Sequence, residues 1–210
     1  MTSLLSDYNE RKRDIEGCKT FVANSGLKSD MEKIMKSNFY LMAYNTLESV
    51  ITGLIFEIND DIKKSNSSYM LLNDAIKKML HQYYFHGKEK FDDDKITKII
   101  SSLINGDSIT IDSGLLLQKL KLFSGNLDHR KITHIFKLYN INNINSEHKE
   151  DILKIKDMRN RLAHGEVSFS NCCRDESVEA TLKTVYNMFS YLDKIIENIS
   201  NYITDKKYLL

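Results

Sequence analysis

The 210-residue sequence contains no proline and no tryptophan, and it has only 8 glycines. Sandwiches and barrels are built from many short strands joined by turns rich in proline and glycine, so this scarcity argues against an all-β fold. Hydrophobic residues make up 41% of the chain and charged residues 28%, which is the ordinary composition of a globular protein with a packed core. We therefore predict an all-α protein in which long helices are joined by polar turns, with a single domain over residues 1–210.

An excess of positive charge is also missing, because 30 basic side chains are balanced by 29 acidic ones for a formal net charge of +1. Proteins that coat long nucleic acids gain much of their affinity by neutralising phosphates, and they usually carry a large positive excess. A nucleic acid would therefore have to bind this protein at a local patch. Two copies of the chain could build such a patch together.

Cysteines and long apolar runs are scarce as well. Cys18, Cys172 and Cys173 have neither the spacing of a metal site nor the number expected of a disulfide framework. The first residues lack the apolar run of a signal peptide, and no stretch of the sequence approaches the roughly 20 apolar residues that span a bilayer. We expect a cytoplasmic protein with reduced thiols and no membrane association.

Hydrophobic residues recur at helical spacing through most of the chain. The clearest case is a second helix over residues 30–59, whose broad apolar face implies packing against more than one neighbour. A long closing helix is predicted from Ser177, after a connector over residues 165–176 with a little extended structure at Val167–Phe169. The remaining predictions are helices near residues 5–24, 69–85, 128–141 and 146–164, a short helix capped by the aspartates at 92–94, and a looser excursion over 107–126.

The segment MRNRLAHGE, at the end of the predicted 146–164 helix, brings Arg159, Asn160 and His164 together. Cleaving RNA without a metal requires a group that takes or gives a proton, and a positive charge that stabilises the phosphorane. Histidine suits the first task because its ordinary pKa is about 6.5. Arginine suits the second because its planar fork matches phosphate oxygens and keeps its charge. The residue types therefore fit metal-free cleavage of RNA.

Helix geometry separates two of these side chains. Five positions turn an ideal helix by roughly 500°, so Arg159 and His164 point about 140° apart unless the last turn unwinds before Gly165. Asn160 and His164 share a face and are within hydrogen-bonding reach. Spacing alone also fits a surface arginine and a histidine that closes a helix C-terminus, where it complements the helix dipole. A regular helix favours a composite site at which two copies of this helix end meet.

The sequence DMRNRLAHGEVSFSNCCRDE resembles the signature of HEPN-domain nucleases, and it is similar to small stand-alone prokaryotic members in which RNxLAHG is followed by SFSxxxRD. The upstream segments NFYLMAYNTLESVITGLIFEI and GNLDHRKITHIFKLYNI resemble the same family, so the similarity covers most of the chain. The resemblance implies a HEPN-like helical bundle with long second and C-terminal helices that dimerises across the Arg-x4-His motif. It also implies a metal-independent endoribonuclease that cleaves RNA through a 2′,3′-cyclic phosphate, needs no cofactor, and acts in a toxin–antitoxin or antiphage system.

The same resemblance assigns roles to single residues. Arg159 is expected to bind the phosphate, Asn160 to orient its partners, and His164 to transfer the proton. Glu48, at the edge of the apolar face of the second helix, and Arg174, in the connector, are candidate supporting residues. Each also fits a structural role, a surface ion pair for Glu48 and a tie between a loop and a helix end for Arg174.

One departure from the family bears on regulation. Some HEPN toxins end the motif in His-x-Tyr and are silenced by nucleotide transfer to that tyrosine, whereas this chain reads His164-Gly165-Glu166. That mode of control is therefore not expected here. The partners that the resemblance implies are an RNA substrate, a second copy of the chain or a related HEPN protein, and a neutralising antitoxin.

No metal site is predicted. His81 and His86 are five positions apart, which makes them diverge on a helix, and they lack an Asp, Glu or Cys at ligand spacing. Two other interpretations of the whole chain stay open. One is a non-catalytic HEPN-like module that binds a partner protein or RNA, with the Arg/His pair holding a dimer interface. The other is a helical adapter unrelated to nucleases.

Overall fold

A computed structural model describes residues 1–24, 29–85, 93–105, 111–120, 122, 125–142 and 147–210. In these ranges the regular structure is helical and no strand is formed, which confirms the all-α prediction. The helices are α1 (Thr2–Asn24), α2 (Ser29–Lys64), a 3-10 helix (Tyr69–Leu71), α3 (Asp74–Phe85), α4 (Asp93–Asn105), α5 (Ser113–Lys119), α6 (His129–Tyr139), α7 (Lys149–Ala163), α8 (Phe169–Cys172) and α9 (Val178–Thr204).

Both long helices that the apolar pattern predicts are present. α2 continues beyond residue 59 to Lys64, because Ile62 is still buried at 2% exposure and Asp60 pairs with Lys64 one turn later at 2.6 Å. α9 begins beside the predicted start, where the Ser177 hydroxyl accepts a hydrogen bond from the Ala180 N–H at 3.1 Å. This bond satisfies one of the free N–H groups of the first helical turn.

The chain forms two compact units. The first consists of Met1–Gly53, Gly125–His129 and Asn145–Ile195, and the second of Leu54–Ser124, Arg130–Ile144 and Ile196–Leu210. The whole motif from Arg159 to His164 belongs to the first unit. The prediction of a single domain over residues 1–210 stays a prediction.

Side chains of α1, α2, α7 and α9 make the core of the first unit. α1 is tied to α9 because the Tyr8 hydroxyl donates to Asp193 Oδ1 at 2.8 Å and Lys12 pairs with the same carboxylate at 2.9 Å. The apolar side chains at 0% exposure in this core are Ile15, Phe39, Tyr40, Ala43, Tyr44, Leu47, Ile152, Ile155, Val185, Met188, Leu192 and Ile195.

A buried amide organises the second unit. Asn59, near the end of α2, is 2% exposed. Its Oδ1 accepts from the Tyr139 hydroxyl at 2.9 Å, and its Nδ2 donates to Ser113 Oγ at 2.9 Å. The amide is therefore satisfied on both sides, and it links α2 to α5 and α6.

The connector contains a short helix that begins at Phe169, the last residue of the segment predicted to be extended. The Ser168 carbonyl accepts from the Cys172 N–H at 2.9 Å, which forms the short α8. Cys172 and Cys173 are both buried and both carry free thiols. The prediction of a little extended structure at Val167–Phe169 is confirmed at Ser168, whose φ is −75° and ψ is 158°, and it is wrong at Phe169, which begins α8.

Some predictions fall partly outside the described residues. Within the excursion over 107–126 the structure describes α5, which Asp112 caps by accepting from the Leu115 N–H at 2.8 Å. Residues 106–110, 121 and 123–124 lie outside the described residues. So do residues 86–92, which include His86 and the predicted capping residue Asp92.

One described helix has the length and composition of a membrane span. It runs from Asp30 to Lys64 within α2, and its best 18-residue window has a mean hydropathy of 1.2, with 56% of that window buried inside the protein. The expectation that no stretch of the chain approaches the length of an apolar membrane span is corrected by this helix. Core helices of soluble proteins can have the same length and hydropathy. The buried side chains of α2 account for its apolar face.

Candidate active site

The helix that carries the motif ends in a regular cap. Gly165 has a φ of +68°, a left-handed conformation that glycine adopts at no steric cost. Its N–H donates to the Leu162 carbonyl at 3.2 Å, and the Glu166 N–H donates to the Arg161 carbonyl at 2.9 Å. This pair of bonds is the Schellman arrangement, which satisfies the last free carbonyls of a helix.

Because the cap is regular, the last turn of α7 does not unwind. The His164 N–H still donates to the Asn160 carbonyl at 2.9 Å, as in an ideal helix. Arg159 and His164 therefore point about 140° apart, as the helix geometry predicts. The His164 side chain is exposed to solvent, whereas Arg159 is half-buried.

The Arg159 guanidinium is held in three ways. Its Nη1 donates to the Gly125 carbonyl at 3.0 Å and to Asn160 Oδ1 at 3.1 Å. Its Cζ lies 4.7 Å from the centre of the Tyr44 ring, within the range of a cation–π contact. Both hydrogen bonds that Arg159 makes to described residues come from Nη1, so Nε and Nη2 form the remaining donor edge.

A second set of contacts fixes the segment that Arg159 touches. Asn160 Nδ2 donates to Asn126 Oδ1 at 2.7 Å. The N–H of the buried Leu127 donates to the Tyr44 hydroxyl at 3.0 Å. The Asn160 side chain lies on the same helix face as His164. Its Oδ1 bonds to Arg159 and its Nδ2 to Asn126, rather than to His164.

Charged neighbours act on Tyr44. Burial raises the pKa of its phenol, the Leu127 N–H lowers it, and the Glu48 carboxylate raises it again. Arg159 lowers the same pKa and Asp128 raises it. Asp128 is itself 7% exposed and lies 3.6 Å from the Lys156 ammonium. Tyr44 is therefore a neutral phenol between a guanidinium and carboxylates.

The family model of the MAE_28990-like HEPN proteins matches residues 1–208, nearly the whole chain. The chain belongs to this HEPN family. No curated protein and no solved structure matches it. The expected HEPN-like helical fold is thereby confirmed.

The two supporting residues predicted for this HEPN protein differ in their exposure and in their relation to Tyr44. Glu48 is half-buried and reaches the site through Tyr44, which lies one turn earlier on α2. Arg174 is exposed in the connector just after α8. Arg161, which the motif does not assign, lies with its Nη1 3.9 Å from Met158 Sδ. Only Asn160 is directly bonded to Arg159 among the residues predicted from the sequence.

The metal prediction concerns other parts of the HEPN fold. Among the described residues, no group of three or more His, Cys, Asp or Glu side chains is arranged to hold a metal ion. The His81 ring packs on Phe85, with centroids 4.9 Å apart. His86 lies outside the described residues.

Three residues around Arg159 were missed in the sequence. Tyr44 falls within the predicted second helix, and Gly125 and Asn126 fall at the end of the predicted excursion over 107–126. All three occur in the two upstream segments that resemble HEPN proteins, FYLMAYNTLE and GNLDHR. A glycine followed by asparagine ahead of a helix is the one local signal that could have pointed to this turn.

Proposed function

We propose that this HEPN protein is a metal-independent endoribonuclease. The observation that carries the proposal is the state of Arg159, whose Nη1 is bonded to Gly125 and Asn160 while its Nε and Nη2 edge has no partner among the described residues. Such an edge matches two oxygens of a phosphate. It lies on the same helix end as the exposed His164.

The reaction needs no metal. The 2′-oxygen of a ribose attacks the adjacent phosphorus, the bond from phosphorus to the 5′-oxygen breaks, and a 2′,3′-cyclic phosphate remains. One imidazole takes the proton of the 2′-hydroxyl, and an acid returns a proton to the leaving 5′-oxygen. Arg159 stabilises the negative charge of the phosphorane throughout. His164 is the group proposed for the proton transfer.

One chain presents these two side chains in divergent directions, about 140° apart. We infer that the working site joins Arg159 of one chain to His164 of another, either a second copy or a related HEPN protein. This arrangement would also gather positive charge locally, which the net charge of +1 does not provide over the whole chain.

The biological setting belongs to the same proposal. A small nuclease of this kind fits a toxin–antitoxin or antiphage system in the cytoplasm. RNA would be its substrate, and a neutralising antitoxin its protein partner. No membrane and no cofactor enter the proposed reaction.

The second candidate function is a non-catalytic HEPN-like module. It is favoured by the internal contacts of Arg159, whose guanidinium ties α7 to Tyr44 and Gly125 in the manner of a structural arginine. In that case the Arg/His motif would hold an interface with a protein or RNA.

Cleavage in the presence of EDTA separates the two candidates. Purified protein is incubated with a single-stranded oligoribonucleotide and with its fully 2′-O-methylated copy, and products are identified by mass spectrometry. The nuclease is expected to cut only the first and to leave a 2′,3′-cyclic phosphate. Arg159→Ala and His164→Ala should each lower the rate by roughly 100-fold or more.

Two variants serve as matched controls for this experiment. Arg13→Ala and His134→Ala remove an exposed arginine and an exposed histidine from other helices, α1 and α6. They are expected to cleave like the wild type. Equal residual cleavage in all four variants, or cleavage of the methylated copy, would mean that the activity does not come from this motif.

A further inference from the structure

Arg159 sits in a cradle made by Tyr44, Gly125 and Asn126, and none of these three belongs to the Arg/His motif. We propose that this arginine cradle positions Arg159, so that the Nε and Nη2 edge of its guanidinium faces the RNA phosphate. The inference rests on the proposed ribonuclease function. Its members are positioning residues, because they act through Arg159.

The Tyr44 ring forms the floor of the cradle. The residue is 0% exposed, and its ring is fixed at both ends, by the backbone of α2 and by the hydrogen bond from the Leu127 N–H to its hydroxyl at 3.0 Å. The Arg159 Cζ lies 4.7 Å from the ring centre. A guanidinium held over a fixed aromatic ring by a cation–π contact loses part of its freedom to move away from the ring.

The Gly125 backbone forms the end of the cradle. Its φ is +67°, and its carbonyl accepts from Arg159 Nη1 at 3.0 Å. A Cβ at this position would lie 3.3 Å from Nη1 and 3.4 Å from Nη2. Any other side chain would therefore press on the guanidinium tip, and glycine lets the backbone approach it without that contact.

A chain of two amides closes the third side. Asn126 Oδ1 accepts from Asn160 Nδ2 at 2.7 Å, and Asn160 Oδ1 accepts from Arg159 Nη1 at 3.1 Å. Both acceptors of Nη1 are thus supplied by the protein. Among the described residues, the edge formed by Nε and Nη2 is the part of the guanidinium that is left for two phosphate oxygens.

Tyr44 can be tested against a matched tyrosine. Tyr40 lies one turn earlier on α2 and is also 0% exposed, but its hydroxyl bonds to Glu176 Oε2 at 2.7 Å instead of meeting the arginine segment. Tyr44→Leu and Tyr40→Leu therefore remove similar rings from the same helix. Only the first removes the floor of the cradle. Tyr44→Phe keeps the ring and removes the hydroxyl.

Two measurements are made on these full-length variants. The kcat and KM for the oligoribonucleotide are measured in EDTA, and the Arg159 Nε–H resonance is followed by NMR, assigned by its loss in Arg159→Lys. Tyr44→Leu is expected to lower kcat by roughly 10-fold or more. It should also move the Nε–H resonance downfield, since the shielding by the ring is lost. Tyr44→Phe should keep most of both properties, and Tyr40→Leu should leave the resonance unchanged.

Asn126→Ala gives a second test if Tyr44→Leu fails to fold, because Asn126 is exposed and its removal leaves the core intact. It should shift the same resonance and lower kcat by a few fold. The cradle would be overturned if the resonance and kcat stayed unchanged in these variants, or if both changed equally in Tyr40→Leu. Neither result would contradict the proposed nuclease function. A wild type that cleaves no RNA would overturn the proposed function, and the NMR comparison would then still decide whether Tyr44 holds Arg159.

Discussion

At the scale of single residues, two glycines adopt nearly the same left-handed backbone conformation in different surroundings. Gly125 has a φ of +67° and Gly165 a φ of +68°. An added Cβ at Gly125 would meet the Arg159 guanidinium at 3.3 Å, whereas at Gly165 it would meet nothing within 4 Å. The pair therefore separates the cost of the backbone conformation from the cost of displacing Arg159.

We predict that Gly125→Ala is more destabilising than Gly165→Ala. Both substitutions place a side chain in the left-handed region, which costs about 1–2 kcal/mol. Gly125→Ala should cost up to about 1 kcal/mol more, because the guanidinium must shift by a few tenths of an ångström and its hydrogen bond to the Gly125 carbonyl is weakened. The free energies of unfolding in urea measure the difference. Equal values for the two variants would show that Arg159 yields without loss.

The sequence predicted Arg159, Asn160 and His164 because they form one local motif. The partners of Arg159 could not be found in that way. Gly125 is 34 positions away from it, and Tyr44 comes from a different helix. Contacts of this kind depend on how helices pack, and a periodic apolar pattern indicates only that a residue such as Tyr44 faces inward.

At the scale of elements, the connector between α7 and α9 is anchored by one carboxylate. Glu176 Oε2 accepts from the Tyr40 hydroxyl of α2 at 2.7 Å and from Thr181 Oγ1 of α9 at 3.3 Å, and its Oε1 pairs with Lys154 of α7. Burial raises the pKa of Glu176, but the bonds from Lys154, Tyr40 and Thr181 outweigh it and lower the pKa overall. One side chain thus links three helices of the first unit.

We predict that Glu176→Gln destabilises the protein by about 1–3 kcal/mol. Breaking a fully buried ion pair costs about 3–5 kcal/mol, and partial exposure of Glu176, at 18% of its side chain, reduces that figure through screening. The pKa of Glu176 is lower in the folded state than its ordinary value of 4.5. The carboxylate therefore stabilises the fold fully at a pH above 4.5, and this stabilisation is lost as the pH falls through the folded-state pKa.

Urea unfolding at pH 7 and at acid pH measures this contribution. The matched control is Glu147→Gln, whose partner Lys194 is 3.0 Å away in an exposed pair, and which should change stability far less. If the wild type and Glu176→Gln lost stability in parallel as the pH falls, the carboxylate would not be the anchor.

The helices were predictable to different degrees. α2 and α9 follow from long apolar patterns, and the main difference at α2 is its end at Lys64, which depends on Ile62 and on the pair between Asp60 and Lys64. α8 could not be predicted, because its four residues are too few for a periodic signal. Its helical turn is accompanied by the burial of Cys172 and Cys173, which is a property of the packed protein.

At the scale of the whole molecule, the regular end of α7 bears on how two chains could assemble into one site. The Schellman cap at Gly165 keeps Arg159 and His164 on different sides of the helix, about 140° apart. If both residues act on one phosphate, the arginine of one chain must work with the histidine of another. The net charge of +1 fits this arrangement, since the chain has no overall positive excess with which to bind RNA.

We therefore predict that two inactive variants restore activity when they are mixed. Arg159→Ala supplies an intact His164, and His164→Ala supplies an intact Arg159. In a two-fold dimer with sites shared between chains, each mixed dimer holds one complete Arg159–His164 pair. Equal mixing makes about half of all dimers mixed, and each of these keeps one of two pairs, so about a quarter of the wild-type rate is expected.

The recovered rate distinguishes a site shared between two chains from a site built within one chain. If Arg159 and His164 of the same chain acted together, no mixed dimer would contain a complete pair, and mixing would restore nothing. Mixing Arg159→Ala with the double variant Arg159→Ala/His164→Ala is the control, because no dimer then contains Arg159. Subunit exchange is verified with chains of two different masses, so that a failure to recover activity counts against a shared site only when mixed dimers have formed. Recovery near a quarter would make the divergence of two side chains on one helix the reason why this protein needs a second chain.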